Sequence, residues 1–227
     1  MQRFDGFSKE TLAFFAGLKK NNSSAWFDAH RKEYEQFVKK PTQLFVQAME
    51  EPLMLLDSGI NAVPKVNHSI FRLNRDTRFS NDKTPYKTNL GVWFWSGVRP
   101  RMECSGFYLQ VENGEVMLGT GMYMFPRDLM SAYRDAVADP KKGTLLLKLA
   151  GKMEKEGYGI GGEHYKKVPA GYDKELPQAR FLRYNGIYAG FETKVPKDFY
   201  SAKFVDWCFL HFRKTLPLHQ WLKDTLG

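Results

Sequence analysis

At Ser58-Gly59 the hydrophobic pattern of this chain changes period, and that change constrains the fold more than any other feature. Upstream, apolar residues recur every three or four positions. Ser8 suits the N-cap of a helix carrying Leu12, Phe14, Phe15 and Leu18, with Glu10 in the first turn where the helix dipole favours a carboxylate, and Asn21-Asn22 ends it. A second helix starts at Ser23 or Ser24 with the stripe Trp26, Phe27, His30, Tyr34, Phe37 and Val38. A third starts at Pro41 with Leu44, Phe45, Ala48, Met49, Leu53 and Leu56 inward, and Pro52 should kink or end it.

Downstream the spacing is two. Val63 to Leu73 places Val66, His68, Ile70 and Arg72 on one face and Asn67, Ser69, Phe71 and Leu73 on the other, which predicts a strand. Thr88 to Ser96 is bulky on both faces, as in a buried strand. Gly106 to Glu112 and Glu115 to Met124 flank Asn113-Gly114, a strong hairpin signal. Helical spacing returns from Pro126 to Val137 and from Gly143 to Glu156. His164 to Val168 is expected as an edge strand, Glu175 to Arg183 as a short helix, Ile187 to Lys194 as a strand, and Tyr200 to Leu226 as one or two helices interrupted at Pro217. The glycine-rich run 157–162 neither follows a predicted strand nor opens a helix, so it reads as a flexible loop rather than a dinucleotide-binding turn. The prediction is an α+β fold: an antiparallel sheet of four or more strands flanked by helices, with an N-terminal helical segment, as one domain over 1–227.

Composition narrows the class of protein. A hydrophobic fraction of 43% with 26% charged residues over 227 positions supports a folded core, and an aromatic share of 15% gives that core large rings. The net charge of +9 favours anionic partners, but the basic residues are spread along the chain with nothing longer than doublets such as Lys19-Lys20 and Lys166-Lys167. Cys104 and Cys208 are far apart, which excludes a disulfide-rich scaffold and a cysteine-based zinc site and suits reduced, buried thiols. The first ten residues lack the apolar run of a signal peptide and no window approaches a membrane span, so a cytoplasmic location away from membranes is expected.

Few residues offer catalysis. The five histidines show no metal-ligand spacing; His30 lies on an apolar stripe, whereas His68 shares its predicted face with Arg72 and could serve as a general base or phosphate ligand. Ser105 lacks the nucleophile elbow of a hydrolase, and Asp76 and Asp82 stand among too many cations for a metal cage. No cofactor or metal is expected. The richest stretch is 71–87, FRLNRDTRFSNDKTPYK, where arginine forks and lysine charges concentrate beside a rigid Thr84-Pro85-Tyr86 turn. Arg72, Arg75, Asp76, Arg78, Lys83, Tyr86 and Lys87, with His68, are the candidate ligand-binding residues, for a small anion bearing phosphate or carboxylate.

Two alternatives stand beside that reading. The loop could join Trp93, Trp95 and Tyr86 in a nucleic-acid or polyphosphate binding module. It could instead be an internally satisfied network in a structural or partner-binding domain, with Asp76 on Arg78 or Arg75, Asp82 on Lys83 or a distant base, and Phe79 anchored in the core.

The run from Arg75 to Lys87 also resembles the R-D-x-R-F-S-x-D-K-x-P-Y-K signature of the DUF2461 family. Asn21, Asn22, Trp26 and Phe27, the Gly119 to Gly121 strand, Arg134 and the segment KKVPAGYD at 166–173 are similar to further landmarks of that family. The resemblance implies one layout over most of the chain and carries no reaction with it.

Overall fold

Pro41 has no N–H to give to the carbonyl four residues earlier, and the protein solves this locally. In the computed structural model, which describes residues 3–226, Thr11 Oγ1 donates to Phe37 O at 2.6 Å, and the backbone from Tyr34 to Lys39 widens into π-helical turns. The helical path therefore runs on through Pro41 instead of restarting there. Helix α1 is Lys9–Lys20, α2 is Ser24–Ala29, α3 is Arg31–Glu33, and α4, Lys40–Leu56, continues past Pro52 to Leu56. The expected second helix is split at His30, and the expected break at Pro52 does not occur.

The strands are β1 (Ile60–Asn61), β2 (Leu90–Ser96), β3 (Gly106–Glu112), β4 (Glu115–Met122), β5 (Gly159–Glu163) and β6 (Tyr184–Lys194). They form one antiparallel sheet in the order β1-β2-β3-β4-β6-β5. The β3–β4 turn has positive φ at both Asn113 (51°) and Gly114 (80°), the backbone that suits a two-residue hairpin. Helices α5 (Met130–Ala138), α6 (Lys142–Lys155) and α7 (Phe204–Leu226) complete the chain; α7 is a single helix through Pro217. Among the described residues, no helix is long and apolar enough to cross a membrane.

Three local expectations are corrected. Val63 to Leu73 is not a strand: Asn67 turns the backbone to φ 67°, and only the isolated bridges Val66–Ile70 and Ile70–Val92 form, so His68 and Arg72 do not share a strand face. The glycine-rich run 157–162 is not a loop, because it supplies most of β5. A Cβ at Gly162 would sit 2.1 Å from Gly186 O, so glycine is what lets β5 approach β6. Residues 164–168, expected as the edge strand, lie just beyond it.

The chain divides into two compact units. The first holds the described residues through Phe94, with Tyr108–Leu118 and Glu192–Leu210. Its core is aromatic: Phe7 stacks on Phe199 at 5.0 Å, and Phe4, Phe45 and Phe204 pack around them. The second holds Trp95–Phe107, Gly119–Phe191 and the described residues from His211 onward. Tyr133, Phe181, Ile187, Leu218 and Trp221 lie at its centre, and the Tyr133 hydroxyl donates to Phe181 O at 3.0 Å. A Cβ at Gly121 would meet Ile187 O at 2.3 Å, which explains the glycine in that segment of β4.

Candidate functional site

The 71–87 segment is a loop with a pinned neck. Its two arms pair through the Asn74–Tyr86 bridge, with Arg75 N donating to Pro85 O and Lys87 N to Leu73 O, each at 2.8 Å. Phe71 N donates to Gly91 O at 3.1 Å, which ties the first arm to β2. Asn22, just beyond α1, clasps the other arm through both ends of its amide. Its Nδ2 donates to Tyr86 O at 2.9 Å and its Oδ1 accepts from Tyr86 N at 3.1 Å. The side chain thereby imitates a neighbouring strand. The Tyr86 ring, only 7% exposed, stacks on Phe27 of α2 at 4.6 Å. Two separate parts of the sequence resemblance, the Asn22/Phe27 element and the signature loop, are thus one structural unit.

Beyond the neck, the charges are largely spent on one another. Asp76 accepts from Arg78 Nε at 3.0 Å and from Arg78 Nη2 at 2.8 Å, and this guanidinium holds its carboxyl down at about 2. Asp82 accepts from Thr84 N at 2.9 Å and from Arg75; the Thr84 amide, then the Arg75 guanidinium, brings its pKa to about 2. Arg75 also donates to Thr84 Oγ1, and Lys83 Nζ donates to Thr77 O at 2.9 Å. Arg78 lies over Phe79, whose ring is 95% exposed and anchors nothing in the core. Asp82 takes Arg75 rather than Lys83 or a distant base.

A cleft of about 380 Å³ opens beside the neck. Of the eight candidate residues, Arg75, Tyr86 and Lys87 line it. Arg72, Asp76, Arg78, Lys83 and His68 do not; His68 is exposed in the turn after Asn67. Lys19, Asn22, Asp82, Thr84, Thr88 and Asn89 complete the wall. Lys19 carries no distinguishing signal in the sequence, being one of many lysines on predicted helices. Here its Nζ donates to Asn113 Oδ1 at 3.1 Å at the end of the β3–β4 hairpin. Lys87 lies 5.1 Å over the Phe71 ring, and Thr88 Oγ1 donates to Glu112 Oε1 at 2.9 Å.

Two histidine pairs lie in the second unit. His219 Nδ1 and Ser105 Oγ are hydrogen-bonded at 2.8 Å with both residues buried in the second unit, so the pair has no route to substrate. Tyr158 binds His211 Nδ1 at 2.7 Å; burial lowers the His211 pKa and, with Glu156, raises that of Tyr158 to about 12. Cys104 and Cys208 are free and buried, and burial pushes both thiols up, away from reactive thiolate. Trp93, a stacking residue in the nucleic-acid alternative, is 8% exposed. Among the described residues, no three of His, Cys, Asp and Glu converge as metal ligands.

Comparison with curated protein sequences found no match. A family model does match, over residues 10–221, and so takes in α1, the pinned loop, the whole sheet and most of α7. The chain belongs to DUF2461, a family described as conserved hypothetical protein.

Proposed function

We propose that the protein binds a small anionic ligand, bearing phosphate or carboxylate, in the cleft at the neck of the 71–87 loop. The observation that carries this reading is a wall with three cations, Lys19, Arg75 and Lys87, against one carboxylate, Asp82. The cleft falls within the roughly 300–1,000 Å³ usual for small-molecule sites. Asn22 and Phe27 hold the neck in place, so a ligand would meet a rigid wall rather than ordering one, which favours affinity. Thr84 and Asn89 add hydroxyl and amide donors suited to phosphate oxygens.

On this reading the tip and the neck have different tasks. The Asp76–Arg78 clasp and the Lys83–Thr77 bond shape the loop, and the ligand groups contract to the neck. A nucleic-acid module is less well supported, because Trp93 and Tyr86 are buried and offer no stacking surface.

The test is a thermal-shift screen of phosphorylated and carboxylated metabolites other than nucleotides against the wild type and a Lys19→Ala/Lys87→Ala variant. A ligand at about 100 times its Kd should stabilise the wild type by about 2.7 kcal/mol. The double variant should lose that shift and Arg78→Ala should keep it. No shift with any compound, or an equal shift in the double variant, would reject the proposal.

A further inference from the structure

The second unit contains a larger basic cleft, built by the connection between β5 and β6. Its volume is about 630 Å³. Five cations line it, Lys166, Lys167, Lys174, Arg180 and Arg183, with no carboxylate in the wall. Val168, Pro169, Tyr172 and Leu176 line the same cleft, so its wall mixes charge with apolar surface.

This connection is long but held. His164 N and Tyr165 N both donate to Arg183 O, at 2.9 and 2.8 Å, closing its ends. The Tyr172 hydroxyl donates to Asp135 Oδ1 at 2.7 Å on α5, while Val168, Tyr172 and Leu176 pack against the unit's core. Connections of this length within a compact unit tend to be either functional or disordered, and these anchors are those of an ordered one.

Four of the five cations fall into two sets, and the fifth, Lys174, lies 3.8 Å from Glu175 Oε1 at the surface. Arg180 and Arg183 are tethered from outside the wall: Glu154 receives Arg180 Nη2 at 3.0 Å and Glu163 receives Arg183 Nη2 at 3.0 Å. Those bonds fix the two guanidinium planes. Arg180 also lies 4.5 Å over the Phe181 ring, and its Nε is buried without a hydrogen-bond partner among the described residues. A donor of that kind is costly to leave unmatched. Lys166 and Lys167 are solvent-exposed and have no ion-pair partner among the described residues. Tethered arginines beside exposed lysines supply both directed forks and point charges, the combination that suits adjacent phosphates.

We infer that this cleft binds a nucleoside di- or triphosphate, its phosphates against Lys166, Lys167, Arg180 and Arg183 and its base against Val168, Pro169 and Tyr172. The volume suits one compact ligand of that size. The mixed wall separates this class from inorganic polyphosphate, which would use the cations alone.

Isothermal titration of the full chain with ADP, pyrophosphate and adenosine, at ~50 mM salt to limit screening, tests the inference. ADP should bind, pyrophosphate about tenfold more weakly for lack of a base, and adenosine not measurably. Lys166→Ala/Lys167→Ala should weaken ADP at least about tenfold, since each removes a charge-assisted contact. Both lysines are on the surface, so the variant is expected to fold, and Lys174→Glu gives an independent weakening. Lys19→Ala/Lys87→Ala should leave ADP binding intact, which separates this cleft from the one at the loop neck. Absence of ADP binding, pyrophosphate binding as tightly as ADP, wild-type affinity in both the lysine pair variant and Lys174→Glu, or loss of ADP in Lys19→Ala/Lys87→Ala would each overturn it.

Discussion

The 71–87 loop and the 164–183 connection are both basic and ordered, the second ending in a 3-10 turn at Ala179–Arg183, yet they dispose of their arginine charge in opposite ways. In the loop, carboxylates alternate with cations in the same segment, and Asp76 and Asp82 close on Arg78 and Arg75 within seven residues. In the connection, Glu154 and Glu163 reach its arginines from α6 and β5, and the cleft wall keeps only cations. Density of charged side chains along a sequence therefore does not locate a site with unspent charge. What matters is whether the counter-charges face the cleft or stand behind it.

The comparison can be broken at its anchors. The largest effect is expected for Asn22→Ala, which strands both backbone groups of Tyr86 and should cost about 2–3 kcal/mol, read by chemical denaturation. At the usual scaling for a chain of this size that is a fall in Tm of roughly 5–10 °C. Wild-type stability in this variant would mean that the neck is held by packing on Phe27 alone. Tyr172→Phe removes the single anchor hydroxyl of the other region and should cost about 1 kcal/mol, because Asp135 remains hydrated. If Tyr172→Phe proved the more damaging of the two, the ranking of the two scaffolds would be reversed.

Smaller effects sharpen the contrast. Arg78→Ala should leave the denaturation midpoint within measurement error, since its pair with Asp76 is at the surface. The loop should contribute its own acid response. Asp76 and Asp82 have folded pKa values of about 2 against an ordinary 3.8, so their contribution is present above about pH 4 and is lost as pH falls towards 2. Carboxyl carbon shifts followed by NMR should show midpoints near 2 for both residues. Arg78→Ala should move the Asp76 midpoint up towards 3.8 while leaving that of Asp82 in place. Midpoints near 4 in the wild type would show that the clasps do not persist in solution.

Much of the architecture was legible in the residue pattern. The helical stripes around Phe14, Phe45 and Leu146, the Asn113-Gly114 hairpin and the alternation in β2 to β4 are local signals, because backbone sterics and one-sided burial act within a few residues. The α+β class followed from their order along the chain. At the loop, the Asp76–Arg78 pairing was legible as one of the alternatives, again through neighbours two positions apart.

What the pattern could not supply depends on partners far away in the chain. Residues 63–73 alternate as a strand does, yet a turn at Asn67 and two isolated bridges bury Ser69, Ile70 and Leu73 without a ladder. The glycines of 159–162 carry no side-chain signal, and they become β5 only because β6 lies close enough to require them. Asn22 and Tyr86 stand 64 residues apart, and their two hydrogen bonds exist because folding brings the end of α1 to the loop's neck. The sequence by itself determined which stretches would be helix, hairpin and charged loop, since those rest on short-range backbone and burial energies. Only the tertiary structure decided which charges are neutralised from behind and which line a cleft, because electrostatic pairing depends on distance in space and not on position along the chain.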